Sequence, residues 1–406
     1  MDFKALNLTL SFNISARALV IIFQLINISL YTNNLHAEQL GIYFFLLTVS
    51  YSANALLFVP IDYYQQANLS RVISEYGGAR SLLNFNGRMV GGYLVFASLL
   101  IAICMTVAQY YVIHLLLAAV LSLLLYVVQA LRNTLNNLEY RNCVSVSFVQ
   151  EAVLKVLLFF FLIQYFIADE VFLIIAWIVS LLVSAIYLFF RTLKHRIFLS
   201  TTDHVVCSKE VFSFSYPFSI GAVCNWLQLQ GYRLILVPLG YAEEVGIFAT
   251  LASIGSAAIG AASLIYSQQF TPLIYKTGGK YTGTYLKGAA VVTLVVALGS
   301  YMVGDYLVAA LASAIFEEHW RLLLFGVVTD AGTLFIGALS IHITLTAHTK
   351  KIISSSTVGL LSMVVSFVLL YWVNQISLVT IGVPLLVSQW LVVAYMYWCF
   401  KKNTQQ

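Results

Sequence analysis

The chain has 406 residues, 61% of them hydrophobic and only 9% charged, with a mean hydropathy of +0.90 and a formal net charge of +5. An ordinary soluble domain has about 45–50% apolar and about 25% charged residues, so a water-soluble globule is excluded. In lipid the backbone must satisfy its own hydrogen bonds, which leaves helices or a closed barrel; uninterrupted apolar runs of about 20 residues, with no short alternating strands, select helices.

The first apolar run, near residues 12–32, is too long for a cleavable signal peptide and has no small-x-small cleavage site. It carries Asn13, Arg17, Gln24 and Asn27, and with Tyr31 these recur at intervals of four, seven, three and four. They therefore share one helical face. The second span, near 40–60, ends at Pro60. Asp62, Tyr63, Tyr64, Gln65 and Gln66 follow at the expected inner interface, where aromatic side chains anchor helices. Further spans are predicted near 88–108, 111–131, 147–167 and 169–190. The fifth holds Glu151 and Lys155 one turn apart. Either they neutralise each other within the helix, or Lys155 serves as a cation for an anionic substrate with Glu151 as its titratable partner.

Arg191 to Glu210, the longest hydrophilic segment, reads as a linker between two six-helix lobes. The expected domains are thus 1–190, a cytoplasmic linker at 191–210, and 211–406. The second set of spans lies near 211–233, 245–267, 286–309, 320–342, 352–373 and 378–400. In the seventh span Gly221, Asn225, Gln228 and Tyr232 form another polar stripe, with Arg233 beside it. Polar residues at this depth face a bundle interior or a wet cavity, and both stripes fit cavity lining or helix-to-helix hydrogen bonding. The eighth span aligns Ala249, Ser253, Ser256, Gly260, Ser263 and Ser267, a small-residue stripe expected to permit close packing. The tenth aligns Asp330, Thr333, Gly337, Ser340 and Thr344. Asp330 has no base three or four positions away, which suits proton coupling unless a neighbouring helix hydrogen-bonds it.

Short loops rich in Lys and Arg stay cytoplasmic. Eighteen of the 21 fall on one side, leaving Arg233 and Arg321 outside and Lys155 within a span, while Glu38, Asp169, Glu170, Glu243, Glu244, Asp305, Glu317 and Glu318 collect in the outer turns. Both termini are expected in the cytoplasm. Because the basic residues are dispersed over separate turns, the charge reflects topology and no nucleic-acid partner is expected. Cys104, Cys143, Cys207, Cys224 and Cys399 have no paired spacing, and no histidine pair has metal-ligand spacing, so neither a disulfide framework nor a metal site is expected.

The chain also repeats itself. HAEQLGIY at His36–Tyr43 returns as YAEEVGIF at Tyr241–Phe248, 205 positions later, at the same topological point of each half. With an even number of spans per half, the halves run in the same direction about an axis along the membrane normal, as in many secondary transporters. The expected fold is all-α and integral to the membrane, with about twelve transmembrane helices in two six-helix lobes related by a parallel pseudo-two-fold repeat. No nucleotide-binding loop, nucleophile elbow or dinucleotide fingerprint is present, so no cofactor and no ATP hydrolysis are expected.

Arg17 in the first span, LHAEQLGIYFFLL, the stretch YRLILVPLGYAEEVGIFATLASIGS from Tyr232 to Ser256 and TLTAHTKK from Thr344 to Lys351 resemble the bacterial polysaccharide flippases of the Wzx type. These O-antigen repeat-unit transporters belong to the multidrug/oligosaccharidyl-lipid/polysaccharide exporter superfamily. The resemblance covers essentially the whole chain in span number and lobe arrangement, with loose motifs. It implies two six-helix bundles around a cationic cavity in the bacterial inner membrane. It also implies movement of an undecaprenyl-diphosphate-linked oligosaccharide from the cytoplasmic to the periplasmic leaflet, in a pathway with a polymerase and a chain-length regulator. Arg17 and Arg233 are the cavity cations it carries over, although many relatives have an acidic residue where this chain has Tyr232. Arg suits a diphosphate through bidentate bonds. Lys155, Gln24, Asn27, Asn225 and Gln228 complete the expected substrate contacts, and Asp330 and Glu151 the expected proton or sodium coupling. A cation-coupled drug or metabolite exporter is the alternative transporter. A membrane O-antigen polymerase or ligase is the alternative enzyme, which the short outer turns disfavour.

Overall fold

A computed structural model describes residues 3–76, 78–107, 112–195, 197, 206–346, 350–373 and 375–404. In the first half the helices are α1 (Phe3–Asn34), α2 (Ala37–Ala53), α3 (Val59–Tyr76), α4 (Arg80–Val107), α5 (Val112–Asn137), α6 (Arg141–Tyr165) and α7 (Glu170–Lys194). In the second they are α8 (Ser208–Leu236), α9 (Ala242–Lys276), α10 (Thr282–Leu311), the short α11 (Ala314–Glu317), α12 (Leu323–Leu345), α13 (Lys350–Trp372) and α14 (Leu378–Thr404). No strand occurs among the described residues. Among the described residues ten helical segments are long and apolar enough to cross a membrane, and α4 and α8 reach 28 and 29 residues.

The α2 and α3 segments form one rod joined by a π turn at Asn54–Phe58. The cause is local. Pro60 has no N–H and its ring crowds the carbonyl four residues back, and a π turn absorbs the mismatch without ending the helix. Asn54 Nδ2 caps the disturbance by donating to Ser50 O at 3.3 Å and Ser122 O at 3.1 Å. The predicted break at Pro60 is therefore a bulge, and Asp62 to Gln66 continue the helix.

By contact density the chain forms two compact units, Met1–Leu30 with Leu46–Ser219, and Tyr31–Phe45 with Ile220–Gln406. In unit 1, α5 packs on α3, α4, α6 and α7, and α6 lies along α7. In unit 2, α12 packs on α9, α10 and α14, and α13 lies along α14. Ile274, Tyr285, Ala289, Leu339, Ile343 and Met396 form its buried centre. Lipid is as apolar as these side chains, so close van der Waals packing and small residues decide which helices meet.

The repeat reads out in that packing. A Cβ at Gly41 would collide with the Ala242 carbonyl oxygen, and one at Gly246 with the Ala37 carbonyl oxygen. Ala37 and Ala242, like Gly41 and Gly246, stand 205 positions apart, so the duplicated motif packs on itself reciprocally, backbone to backbone. Within the halves the same offset recurs. Ser50 Oγ donates to Ala118 O at 3.1 Å, and 205 positions on, Gly255 abuts the Leu323 backbone. The close approaches of α9 are thus at Gly246 and Gly255, whereas Gly260, on the predicted packing stripe, faces open space.

Candidate functional site

The densest charged cluster lies in unit 1. Phe148, Glu151 and Lys155 recur at intervals of three and four on α6, so they share one face. Arg132 is buried, 6% exposed, and its guanidinium donates to Glu151 Oε2 at 2.7 Å, Ser147 Oγ at 2.9 Å and Ser147 O at 3.1 Å. The Trp177 indole N–H donates to the other Glu151 oxygen at 2.9 Å. Lys155 Nζ lies 3.9 Å from the centre of the Trp177 ring, within electrostatic reach of Glu151. The self-neutralising pair expected on α6 is therefore part of a larger group, in which Glu151 also holds Arg132.

Arg17 enters the same cluster from α1. Its guanidinium carbon is 4.2 Å from the Phe148 ring centre, and that of Arg132 is 3.8 Å from the same point. Each guanidinium gains a cation–π attraction of about 0.5–2 kcal/mol from that ring. Asn13, one turn earlier on α1, accepts from Ser145 Oγ at 2.5 Å and fixes the approach of α1 to α6. Among the described residues Arg17 has no carboxylate within 4 Å. Arg17, Arg132 and Lys155 thus gather around Phe148, Glu151 and Trp177.

Unit 2 holds Arg233 in an aromatic setting. The guanidinium lies 4.9 Å from the Phe44 ring centre and 5.3 Å from that of Tyr232, with Tyr31 in electrostatic reach. Its Nε donates to the Tyr232 hydroxyl at 3.0 Å and its NH1 to Gln230 Oε1 at 2.6 Å. The partner sought in place of an acidic residue is thus a phenol and an amide. Among the described residues no carboxylate pairs with this arginine either. Arg17 is thus seated on a phenylalanine ring, and Arg233 on aromatic rings with a phenol and an amide as hydrogen-bond partners.

The remaining expected residues divide. Gln24 is exposed and Asn225 half-buried. Asn27 is 7% exposed, and its Oδ1 has no partner among the described residues. Gln228 is fully enclosed and donates to Ser388 Oγ at 3.2 Å and Gln389 Oε1 at 3.0 Å, so it joins α8 to α14, the hydrogen-bonding alternative for its stripe. Asp330 receives the Ser256 hydroxyl from α9. An open cavity of about 550 Å³ is lined by Ser267, Thr271, Pro272, Tyr275 and Lys276 of α9.

Arg132, Phe148 and Trp177 were not singled out in the sequence. Arg132 was read as an inner loop cation because the apolar run stops at 131, but α5 continues to Asn137. The available signal was the spacing on α6, where Glu151 shares its face with an aromatic residue and a lysine.

No sequence-family profile matches the chain, and no curated protein is recognisably similar to it. Solved structures are. The lipid II flippase MurJ in an inward closed conformation superposes with a TM-score of 0.71 at 12% identity, covering 97% of this chain and 87% of that one. A multidrug-resistance transporter of the MATE family and MOP superfamily, facing inward, gives 0.66 at 12% identity over 95% and 96%. A MOP-superfamily transporter from Pyrococcus furiosus, described by a binding pocket of reversed polarity, gives 0.58 at 12% identity over 98% and 95%. At such identities the likeness carries the fold alone, and the chain shares the multi-helix fold of these solved structures.

Proposed function

We propose that the chain is a flippase that moves an undecaprenyl-diphosphate-linked O-antigen or related polysaccharide repeat unit from the cytoplasmic to the periplasmic leaflet of a bacterial inner membrane. One observation carries this reading. Arg17 and Arg233 are each seated on an aromatic ring with no carboxylate to neutralise them among the described residues. A diphosphate diester carries about two negative charges and offers the oxygens that guanidinium forks bind in pairs. In a medium of low dielectric such charges attract strongly. A carrier of cationic drugs would need carboxylates in their place. The fold shared with a lipid flippase supports a lipid-linked cargo.

In this reading Arg17 and Lys155 of unit 1 and Arg233 of unit 2 are phosphate contacts, transport runs by alternating access and both termini lie in the cytoplasm. Gln24 and Asn225, neither of them buried, supply polar contacts to the headgroup. Asp330, whose one described partner is a serine hydroxyl, is the carboxylate we assign to proton or sodium coupling; Glu151 joins it only if Arg132 lets go. The polymerase and chain-length regulator of the same pathway are the expected partners.

A strain lacking the chain should accumulate lipid-linked repeat units on the inner leaflet. Periplasmic polymer at normal levels in that strain would end the proposal. Under an imposed ion gradient Asp330→Asn should slow transport, and an unchanged rate would remove the coupling role.

A further inference from the structure

Unit 1 contains a second polar cluster that the cationic site does not use. Asp62 and Gln66 stand one turn apart on α3, and Gln129 and Asn133 one turn apart on α5. Asn133 Nδ2 donates to both Asp62 oxygens, at 3.0 and 2.8 Å, and Gln66 Nε2 donates to Oδ2 at 3.2 Å. Gln129 Nε2 donates to Asn133 Oδ1 at 3.2 Å. Behind them a buried layer locks the helices together. Gln65 Nε2 donates to Thr134 Oγ1 at 2.7 Å, and Asn86 Nδ2 of α4 donates to Gln65 Oε1 at 2.6 Å. Asp62 and Asn133 are half-buried and Gln66 and Gln129 exposed, so the outer side of the cluster is open. Tyr63, 40% exposed, adjoins it.

The chemistry is specific. Among the described residues no cation lies within 4 Å of Asp62. Amide N–H groups converge on the carboxylate, whereas a metal or alkali cation needs converging oxygens. A carboxylate offers about four lone-pair sites and each primary amide two N–H groups. After the bonds above, free acceptors and free donors remain side by side on the open face. Vicinal sugar hydroxyls, each donor and acceptor at once, match that alternation.

We propose that Asp62, Gln66, Gln129 and Asn133 form a saccharide subsite, which reads the hydroxyls of the headgroup while Arg17 of the same unit holds its phosphates. The subsite rests on the flippase reading. Asp62 follows Ala37 by about 37 Å of helix at 1.5 Å per residue, roughly one bilayer core from the outer end. In the proposed orientation the subsite therefore sits at the cytoplasmic mouth, where a headgroup enters.

The test uses the purified full chain in nanodiscs with two kinds of probe. One is farnesyl diphosphate. The other is farnesyl diphosphate bearing glucose, galactose, N-acetylglucosamine or N-acetylgalactosamine, with the matching methyl glycosides as soluble competitors. At least one glycosylated probe should bind about tenfold tighter than the bare one, a gain that a few bonds to a charged group supply. Asp62→Ala and Asn133→Ala should erase the gain and leave affinity for the bare probe within about twofold. If Asp62→Ala lowers the melting temperature, the isosteric Asp62→Asn carries the test. Equal affinity for bare and glycosylated probes, or a gain that survives at Asp62→Asn, overturns the subsite. A chain that ignores farnesyl diphosphate but binds a methyl glycoside through Asp62 keeps the subsite and sinks the anion reading. Binding of no probe overturns both.

Discussion

Replacing Glu151 by Leu tests whether the Arg132–Glu151 pair holds unit 1 together. Arg132 is 6% exposed and its carboxylate partner lies 2.7 Å away. Removing one member of such a buried pair costs about 3–5 kcal/mol, mostly as the penalty of leaving the other charge uncompensated. Two features favour the lower end. Ser147 still accepts from Arg132, and the Glu151 side chain keeps 17% of its accessible surface. At about 3 kcal/mol, and about 2–4 °C per kcal/mol for a unit of this size, the melting temperature should fall by about 6–12 °C. The double variant Arg132→Leu/Glu151→Leu removes the pair but still leaves Trp177 N–H and Lys155 without Glu151, so it should recover part of the loss and melt above Glu151→Leu alone, since an apolar pair can replace a buried ion pair. The assay is thermal unfolding in detergent at one fixed scan rate, because heated membrane proteins unfold irreversibly and the midpoint depends on rate. A single variant within about 2 °C of wild type, or a double variant as unstable as the sum of its singles, would refute the reasoning.

Arg17→Gln and Arg233→Gln should each weaken pyrophosphate binding by about tenfold or more, the scale of a lost charge-assisted bond, with melting temperatures nearly unchanged; titration calorimetry reads both. Phe148→Leu should weaken it by about three- to tenfold by releasing Arg17 from its ring, while Phe148→Tyr keeps the ring and most of the affinity. Gly246→Ala and Gly255→Ala should lower the melting temperature sharply, because their Cβ atoms meet backbone oxygens that cannot swing away. Gly260→Ala, facing open space, should be neutral or stabilising by up to about 1 kcal/mol, the helix-propensity difference. Equal effects at all three glycines would remove the close approaches described for α9.

Sequence periodicity had picked out Arg17, Arg233 and Asp330, because a charge at bilayer depth is conspicuous wherever it occurs. It could not pick out what each charge meets. Arg132 was hidden by an apolar run that ended one residue early, although its helix continues to Asn137. Gln228 and Arg17 sit on comparable stripes, yet Ser388 and Gln389 enclose the first and only Phe148 supports the second. The duplication was legible from eight residues, but its consequence was not. The positions 205 beyond Arg17, Arg132, Glu151 and Lys155 are Ala222, Gly337, Ser356 and Leu360, so the halves share contacts and divide the chemistry.

What the amino-acid order determined by itself was everything that depends on near neighbours in the chain. Hydropathy over about 20 residues made the helices and committed them to lipid, and Pro60 set the π turn. The tertiary structure alone decided which carboxylate Arg132 meets, that one phenylalanine ring receives two guanidiniums, and that Asp62 is met by amides. The reason is that a helix presents several faces at equal cost to its own backbone, and only the helices packed beside it select the partner for each.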